Sequence, residues 1–111
     1  MTPDTDLPAI DVAELAELDP TTVPLVDVRQ PDEYAEVHVP GAHLVPLAEV
    51  PDRLDEFPTD STVYVVCRSG ARSANAVAFL RSTGVDAVNV AGGTMAWVEA
   101  GYPVVTGGDP G

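Results

Sequence analysis

Residues 62–73 read TVYVVCRSGARS, an apolar run that ends at a cysteine and continues into small and basic residues. Every residue from Thr62 to Val66 is β-branched or aromatic, which is typical of a strand buried on both faces of a parallel sheet. The segment from Ser73 to Thr83 has apolar residues at helical spacing, and Gly84 provides a stop signal. A buried strand that leads directly into a helix is the repeating unit of an α/β domain.

The same alternation continues on both sides of this unit. Apolar periodicity and turn residues predict strands at about 9–10, 23–28, 42–45, 62–66 and 87–90, and helices starting near residues 11, 31, 47, 73 and 94. Pro51 is expected to divide the helical stretch after residue 47. We therefore predict one α/β domain with a mainly parallel sheet, spanning residues 1–111 with its core at about 9–105 and with frayed ends.

The chain is strongly acidic. It has 18 acidic residues against five basic ones, all arginine, and a formal net charge of −13. This charge repels phosphate backbones and anionic membranes, so we expect neither nucleic acid nor membrane as a partner. No apolar run reaches the ~18–20 residues of a membrane span, and the first residues lack the features of a signal peptide. The sequence predicts a soluble, cytoplasmic protein.

Cys67 is the only cysteine, which excludes an intramolecular disulfide and a cysteine-rich zinc site. It is then a buried structural thiol, a reactive thiol or an accidental surface thiol. The small residues Ser69, Gly70 and Ala71 let backbone N–H groups curl around an anion at the start of the next helix. With two arginines close by, this loop favours a thiolate nucleophile whose pKa lies below the ~8.5 of free cysteine.

Four segments, in this order, resemble the rhodanese-like domains, and together they cover roughly residues 10–104. They are Leu25-Val26-Asp27-Val28-Arg29 with Glu33-Tyr34, His38-Val39-Pro40-Gly41-Ala42 with Val45-Pro46-Leu47, the loop from Val65 to Ser73, and the closing Gly92-Gly93, Ala96-Trp97, Ala100-Gly101 and Pro103-Val104. The resemblance implies a five-stranded, mainly parallel sheet with helices on both faces.

The resemblance also implies an activity, sulfur transfer without a cofactor. Cys67 would take a sulfane sulfur from a donor such as thiosulfate or polysulfide, hold it as a persulfide and pass it to cyanide or a thiol. The backbone N–H groups from Arg68 to Ser73 would cradle the outer sulfur. Arg72 would close the loop and help to hold the anion, while Arg68 would contact substrate at the rim.

Other polar residues support two interpretations each. Asp27, Arg29 and Glu33 could form a catalytic set, but we favour a structural ion pair between Arg29 and Glu33, with Asp27 accepting loop N–H bonds. His38 and His43 lack a third ligand nearby, so we expect no metal site. We expect His38 to brace the turn that follows it.

Two other functions stay open. One is a non-catalytic carrier that delivers persulfide sulfur to a partner protein, because a carrier needs the same activated thiol. The other is a cysteine phosphatase or arsenate reductase. Loops of that class have one more residue between the cysteine and the arginine, whereas four residues separate Cys67 from Arg72. The smaller ring favours sulfur.

Overall fold

The computed structural model describes residues 7–111, which form five strands, four α-helices and one 3₁₀ segment. The elements are β1 (Ala9–Ile10), α1 (Val12–Leu18), β2 (Leu25–Asp27), α2 (Pro31–Glu36), β3 (His43–Leu44), the 3₁₀ segment (Leu47–Glu56), β4 (Val63–Val66), α3 (Ala71–Ser82), β5 (Ala87–Val90) and α4 (Gly93–Glu99). The strands form one sheet in the order β1–β5–β4–β2–β3, and every pair is parallel. None of the helices in this part of the chain is long and apolar enough to cross a membrane.

The central strand β4 supplies both halves of the core because its side chains alternate between the two faces. Val63 and Val65 pack on one face with α3 and the 3₁₀ segment, whereas Val66 packs on the other with α1, α2 and α4. The prediction of an α/β sheet with helices on both faces is confirmed. The carboxyl end of β4 lies in the middle of the sheet, where Cys67 follows it.

Several boundaries differ from the predicted ones. The strands β2 and β3 are shorter than expected. Helix α3 starts at Ala71 rather than Ser73, because Gly70 takes a left-handed conformation, with φ of 109°, and turns the chain into the helix. The 3₁₀ segment has its irregular residue at Arg53, two positions after Pro51, where the break was predicted. The hydrogen bond that Pro51 cannot donate belongs to the turn before it, so the missing N–H does not account for the irregular backbone at Arg53.

A buried ion pair between Asp27 and Arg29 lies at the carboxyl end of β2. Asp27 is fully buried and Arg29 is 4% exposed, and the Arg29 guanidinium donates to both carboxylate oxygens at 2.9–3.1 Å. Arg29 also donates to the carbonyl of Val37 at 2.7 Å, and its backbone N–H donates to Asp27 at 3.0 Å. The predicted pair between Arg29 and Glu33 is therefore wrong. A buried guanidinium needs a partner buried beside it, and Asp27 meets that need two residues away.

His38 connects α2 to the C-terminal segment. It is fully buried, its ring stacks on Tyr34 with centroids 3.7 Å apart, and its two ring nitrogens lie 2.8 Å from the carbonyl oxygens of Tyr34 and Asp109. The turn after His38 is held from the same segment, because Gly41 donates to the carbonyl of Pro110 at 2.9 Å. The end expected to fray is thus hydrogen-bonded through its backbone. At the other end, residues 1–6 of the expected frayed stretch lie outside the described residues.

Replacing Asp27 by alanine is expected to lower the free energy of unfolding by about 3–5 kcal/mol, since Arg29 would be left buried without its counter-ion. Asp86→Ala is the matched control, because Asp86 also pairs with an arginine, Arg81, but with side chains 59% and 40% exposed. Exposed pairs contribute under about 1 kcal/mol. Urea unfolding of both variants measures the difference, and equal losses would contradict the role given to the buried pair.

Candidate active site

The sulfur of Cys67 lies in a ring of hydrogen-bond donors at the carboxyl end of β4. The residue is 1% exposed. Its Sγ accepts the backbone N–H of Gly70 at 3.1 Å and faces the hydroxyl of Ser73 at 3.3 Å. Both donors come from the turn into α3, because the left-handed Gly70 folds the chain back over the sulfur. The loop predicted from the sequence is therefore curled around the thiol.

These donors set the acidity of the thiol. Burial raises the pKa of Cys67, but hydrogen bonds from the Ser73 hydroxyl and from the backbone N–H groups of Ser73, Gly70 and Ser69 outweigh it, so the pKa lies below its usual value. The direction agrees with the expectation from the sequence. A lowered pKa increases the fraction of thiolate at neutral pH, and the thiolate is the nucleophilic form.

The start of helix α4 holds the loop through two backbone hydrogen bonds. The N–H of Thr94 donates to the carbonyl of Cys67 at 2.8 Å, and the N–H of Met95 donates to that of Arg68 at 3.0 Å. Gly93 precedes them with φ of 61°, and a Cβ there would lie 2.5 Å from both carbonyl oxygens. Only glycine fits this contact. The Gly92-Gly93 pair of the closing segment therefore lets α4 pack closely against the active loop.

Asn89, on β5, is a site residue that the sequence analysis missed. Its Nδ2 donates to the carbonyl of Gly70 at 3.2 Å, which fixes the amide with Oδ1 toward Ser73. The Ser73 hydroxyl lies 2.5 Å from that oxygen and also faces Cys67 Sγ, so its single proton is shared between two acceptors. The sequence did contain a signal for it. Asn89 is a polar residue in an otherwise apolar strand, near the carboxyl end, where parallel sheets bind their ligands.

Arg72 forms a two-pronged ion pair with Glu33, at 2.8 Å for both contacts. The Arg72 guanidinium is the main cause that lowers the pKa of Glu33 to about 2. A lowered pKa means that the pair stabilises the fold above the ~4.3 of an unfolded glutamate. That stabilisation is lost as the pH falls through about 2. The arginine expected to hold an anion is thus already partnered by a carboxylate from α2.

Arg68 lies on the exposed rim, with Nε 3.4 Å from the sulfur of Met95 and no ion pair to any residue in 7–111. It borders a cleft of about 360 Å³ between α2 and α4. The cleft is lined by Arg29, Asp32, Glu33, Glu36, Val37, Arg68, Thr94, Met95, Val98 and Glu99. Among the supporting residues predicted from the sequence, Glu33 and Arg29 lie beside the loop. Asp27 pairs with Arg29, and His38 contacts the C-terminal segment instead.

Comparison with known proteins identifies the family. The family model described as the rhodanese-like domain matches residues 11–100. A sulfurtransferase of Allochromatium vinosum is 43% identical over 88 residues, which are 78% of this chain and 82% of that protein. The crystal structure of a rhodanese-related protein from Thermoplasma volcanium has a TM-score of 0.82 at 35% identity, over 88% of this chain and 97% of that one. A rhodanese-like domain protein from Staphylococcus aureus has a TM-score of 0.77 at 41% identity, over 82% of this chain and 91% of that one. The chain belongs to the rhodanese-like domain family and is a homologue of sulfurtransferases.

Replacing Ser73 by alanine is expected to raise the pKa of Cys67, because the hydroxyl that faces Sγ is lost. Ser69→Ala is the control, since Ser69 is exposed and only its backbone N–H contributes to the thiolate. The rate of alkylation by iodoacetamide, followed against pH by intact mass, gives the pKa in each protein. The same midpoint in all three proteins would show that the hydroxyl does not act on the sulfur.

Proposed function

We propose that this chain transfers a sulfane sulfur from a donor such as thiosulfate or polysulfide to a thiophilic acceptor, cyanide or a thiol, through a persulfide on Cys67. The observation that carries the proposal is the position of Cys67 Sγ, at the end of the central strand, under hydrogen-bond donors that lower its pKa. Membership in the rhodanese-like family supports the same reaction class.

In the loading step, the Cys67 thiolate attacks the sulfane sulfur of the donor. With thiosulfate, a bond forms between Sγ and the outer sulfur, the bond from that sulfur to the sulfite sulfur breaks, and sulfite leaves with the electron pair. The outer sulfur then carries the negative charge of the persulfide. The N–H groups from Arg68 to Ser73 supply donors around that charge, and three of them, from Ser69, Gly70 and Ser73, also donate to the Cys67 sulfur before loading.

In the unloading step, the acceptor attacks the outer sulfur and the bond between it and Sγ breaks. Cyanide leaves as thiocyanate, a thiolate leaves as its own persulfide, and Cys67 returns to the thiolate. The hydrogen bonds that lower the pKa of Cys67 also make it a better leaving group, so one set of donors serves both steps.

The remaining site residues have distinct roles in this proposal. Arg72 contributes positive charge beside the loop and is positioned by Glu33. Arg68 meets substrates at the rim. Asp27, Arg29 and His38 are positioning residues: the first two hold the end of β2, and His38 holds α2 against the C-terminal segment. No step requires a cofactor.

A carrier that delivers sulfur to a partner protein would use the same loop. Steady-state turnover distinguishes the two, because an enzyme cycles with small acceptors and a carrier loads sulfur once. A phosphatase or arsenate reductase needs room for a tetrahedral oxyanion. The donors here converge on Sγ at 3.1–3.3 Å, with Gly70 only three residues after Cys67, which fits a single added sulfur better.

Cys67→Ser is expected to abolish sulfur transfer, because a serine hydroxyl is not ionised at neutral pH and forms no persulfide. Thiosulfate:cyanide turnover and the intact mass after exposure to polysulfide measure the loss and the missing sulfur adduct. Circular dichroism checks that the variant is folded. Substantial turnover by folded Cys67→Ser protein would refute the assignment of the nucleophile.

Arg72→Ala is expected to reduce kcat/KM for sulfur transfer at least about tenfold, an effect typical of a lost charged group that helps to position substrate in an active site. Arg81→Ala is a close control, since both arginines are in α3, pair with one carboxylate and have similar exposure, 36% and 40%. Because charges beyond ~8 Å are screened at physiological ionic strength, the Arg81 variant should retain its activity. Equal losses in the two variants would argue against a role for Arg72 at the site.

A further inference from the structure

We propose that Asn89 is a positioning residue for the sulfur chemistry: its side-chain oxygen accepts the Ser73 hydrogen bond whenever Cys67 Sγ is uncharged, and the hydroxyl turns to Sγ when Sγ becomes a thiolate. Asn89 acts on the sulfur through that hydroxyl. The part of this inference that concerns the persulfide rests on the proposed function, whereas the part that concerns the free thiol does not.

The Ser73 hydroxyl is enclosed between two acceptors. Ser73 is fully buried, so solvent does not compete for its proton. Among residues 7–111, its Oγ has two hydrogen-bond partners, Asn89 Oδ1 at 2.5 Å and Cys67 Sγ at 3.3 Å. A hydroxyl has one proton to donate, so it serves one of the two fully at any moment. The acceptor that is stronger at that moment receives it.

The orientation of the Asn89 amide makes Oδ1 the group that faces Ser73. Its Nδ2 donates to the Gly70 carbonyl at 3.2 Å, and the opposite orientation would set two oxygens against each other there. The backbone of Asn89 is paired on both sides within the sheet, beside Val65 of β4 and Ala9 of β1. The acceptor is therefore held by the sheet.

The charge on Sγ decides which acceptor is stronger. A thiolate is a charged acceptor, and hydrogen bonds to charged groups are roughly twice as strong as neutral ones, so the hydroxyl then turns to Sγ. A thiol sulfur and the inner sulfur of a persulfide are uncharged and accept weakly, so the hydroxyl then donates to the amide oxygen. In the thiol form, Ser73 Oγ also accepts the S–H proton, which gives a hydrogen-bonded chain from Cys67 to Asn89.

Asn89 therefore stabilises the states in which Sγ is uncharged, which are the thiol and the persulfide. Without the amide oxygen, the buried hydroxyl has only a weak sulfur acceptor in these states, and a poorly satisfied buried hydroxyl is unfavourable. The thiolate keeps the hydrogen bond from Ser73 in either case. Two consequences follow. Asn89 holds the pKa of Cys67 above the value that the other donors alone would give, and it lengthens the lifetime of the persulfide.

In the unloading step, the hydroxyl changes its acceptor as the charge moves. The acceptor thiolate attacks the outer sulfur, a bond forms between these two sulfurs, the bond between the outer sulfur and Sγ breaks, and its electron pair stays on Sγ. The Ser73 hydroxyl turns from Asn89 Oδ1 to Sγ as that charge develops, and its proton stays on Oγ throughout. Loading reverses the rotation.

A double-mutant cycle that measures the pKa of Cys67 tests the inference. Asn89→Leu removes the amide in a side chain of similar size, and it is made both in the wild-type protein and in the Ser73→Ala variant. An effect that passes through the Ser73 hydroxyl appears only in the first background, whereas an effect through the Gly70 carbonyl appears in both. The pH dependence of alkylation by iodoacetamide, followed by intact mass, gives the four pKa values.

The substitutions leave the charges around the thiol unchanged, because both exchange uncharged side chains. The charged groups at or beside the loop are present in all four proteins, namely Asp27, Arg29, Glu33, Arg68 and Arg72. The loop also keeps a support without the amide, since Ala74 donates its N–H to the Gly70 carbonyl at 3.1 Å. Differences in the pKa of Cys67 therefore report on hydrogen bonds.

We expect Asn89→Leu to lower the pKa of Cys67 in the wild-type background, by at least about half a pH unit relative to its effect in the Ser73→Ala background. Half a pH unit is about a threefold change in the thiol–thiolate equilibrium, within the range of one hydrogen bond. Asn75→Leu is the control and should leave the pKa unchanged, because Asn75 is an exposed asparagine of the same helix as Ser73. Asn89→Ala removes the same groups and replaces Asn89→Leu if circular dichroism shows that the latter is unfolded.

Discharge of the persulfide gives a second measurement. Each protein is loaded with polysulfide until intact mass shows one added sulfur, and the loss of that sulfur to 2-mercaptoethanol is then followed. Asn89→Leu should discharge at least about twofold faster than the wild-type protein, because its persulfide has lost the acceptor for the buried hydroxyl. The same substitution in the Ser73→Ala background should bring no acceleration, and Asn75→Leu should discharge at the wild-type rate.

The outcomes separate this inference from the proposed function. Equal pKa changes in the two backgrounds would show that Asn89 acts only on the loop, and a higher pKa in the wild-type background alone would show that the amide directs the hydroxyl to Sγ. Either result overturns the inference. The expected pKa values with unchanged discharge would overturn the role in the persulfide. Failure of Cys67 to take up sulfur overturns the proposed function, whereas the pKa cycle needs no sulfur transfer.

Discussion

Hydrogen bonds directed at Cys67 Sγ offset the unfavourable burial of a negative charge at the end of β4. Burial alone would raise the pKa of the Cys67 thiol, and hydrogen bonds from Gly70 and Ser73 help to bring it below its usual value. They keep their positions because the loop is held from two sides: Asn89 holds the Gly70 carbonyl, and α4 holds the carbonyls of Cys67 and Arg68. The sheet and α4 therefore fix the loop, and the loop in turn fixes the hydrogen-bond donors around Sγ.

The few cations of this acidic chain are concentrated at the same edge of the sheet. Arg29, Arg68 and Arg72 lie at or beside the Cys67 loop. Two of them are matched by carboxylates that also fix their geometry, so the site combines local positive charge with an acidic surrounding.

Patterns within one element were predictable from the sequence, and contacts between elements were less so. The strand at 62–66 and the cysteine loop depend on local chemistry, apolar β-branched residues and then small ones, so their order along the chain indicated both. The partner of Arg29 was predicted wrongly: the prediction chose Glu33, four positions along the chain, whereas the buried guanidinium pairs with the buried Asp27. Asn89 was missed because its contacts with Ser73 and Gly70 cross from one strand to the next loop. The shape of the cleft depends on how α2 and α4 pack relative to each other, and no local sequence pattern predicts that packing.

The two edge strands of the sheet affect whether copies of the protein can associate edge to edge. Its outer strands, β1 and β3, have only two residues each, so they offer few free backbone groups to a strand from another molecule. The longer apolar strands are all interior. Edge-to-edge aggregation is therefore disfavoured by the geometry of the sheet, independently of the electrostatic repulsion between copies.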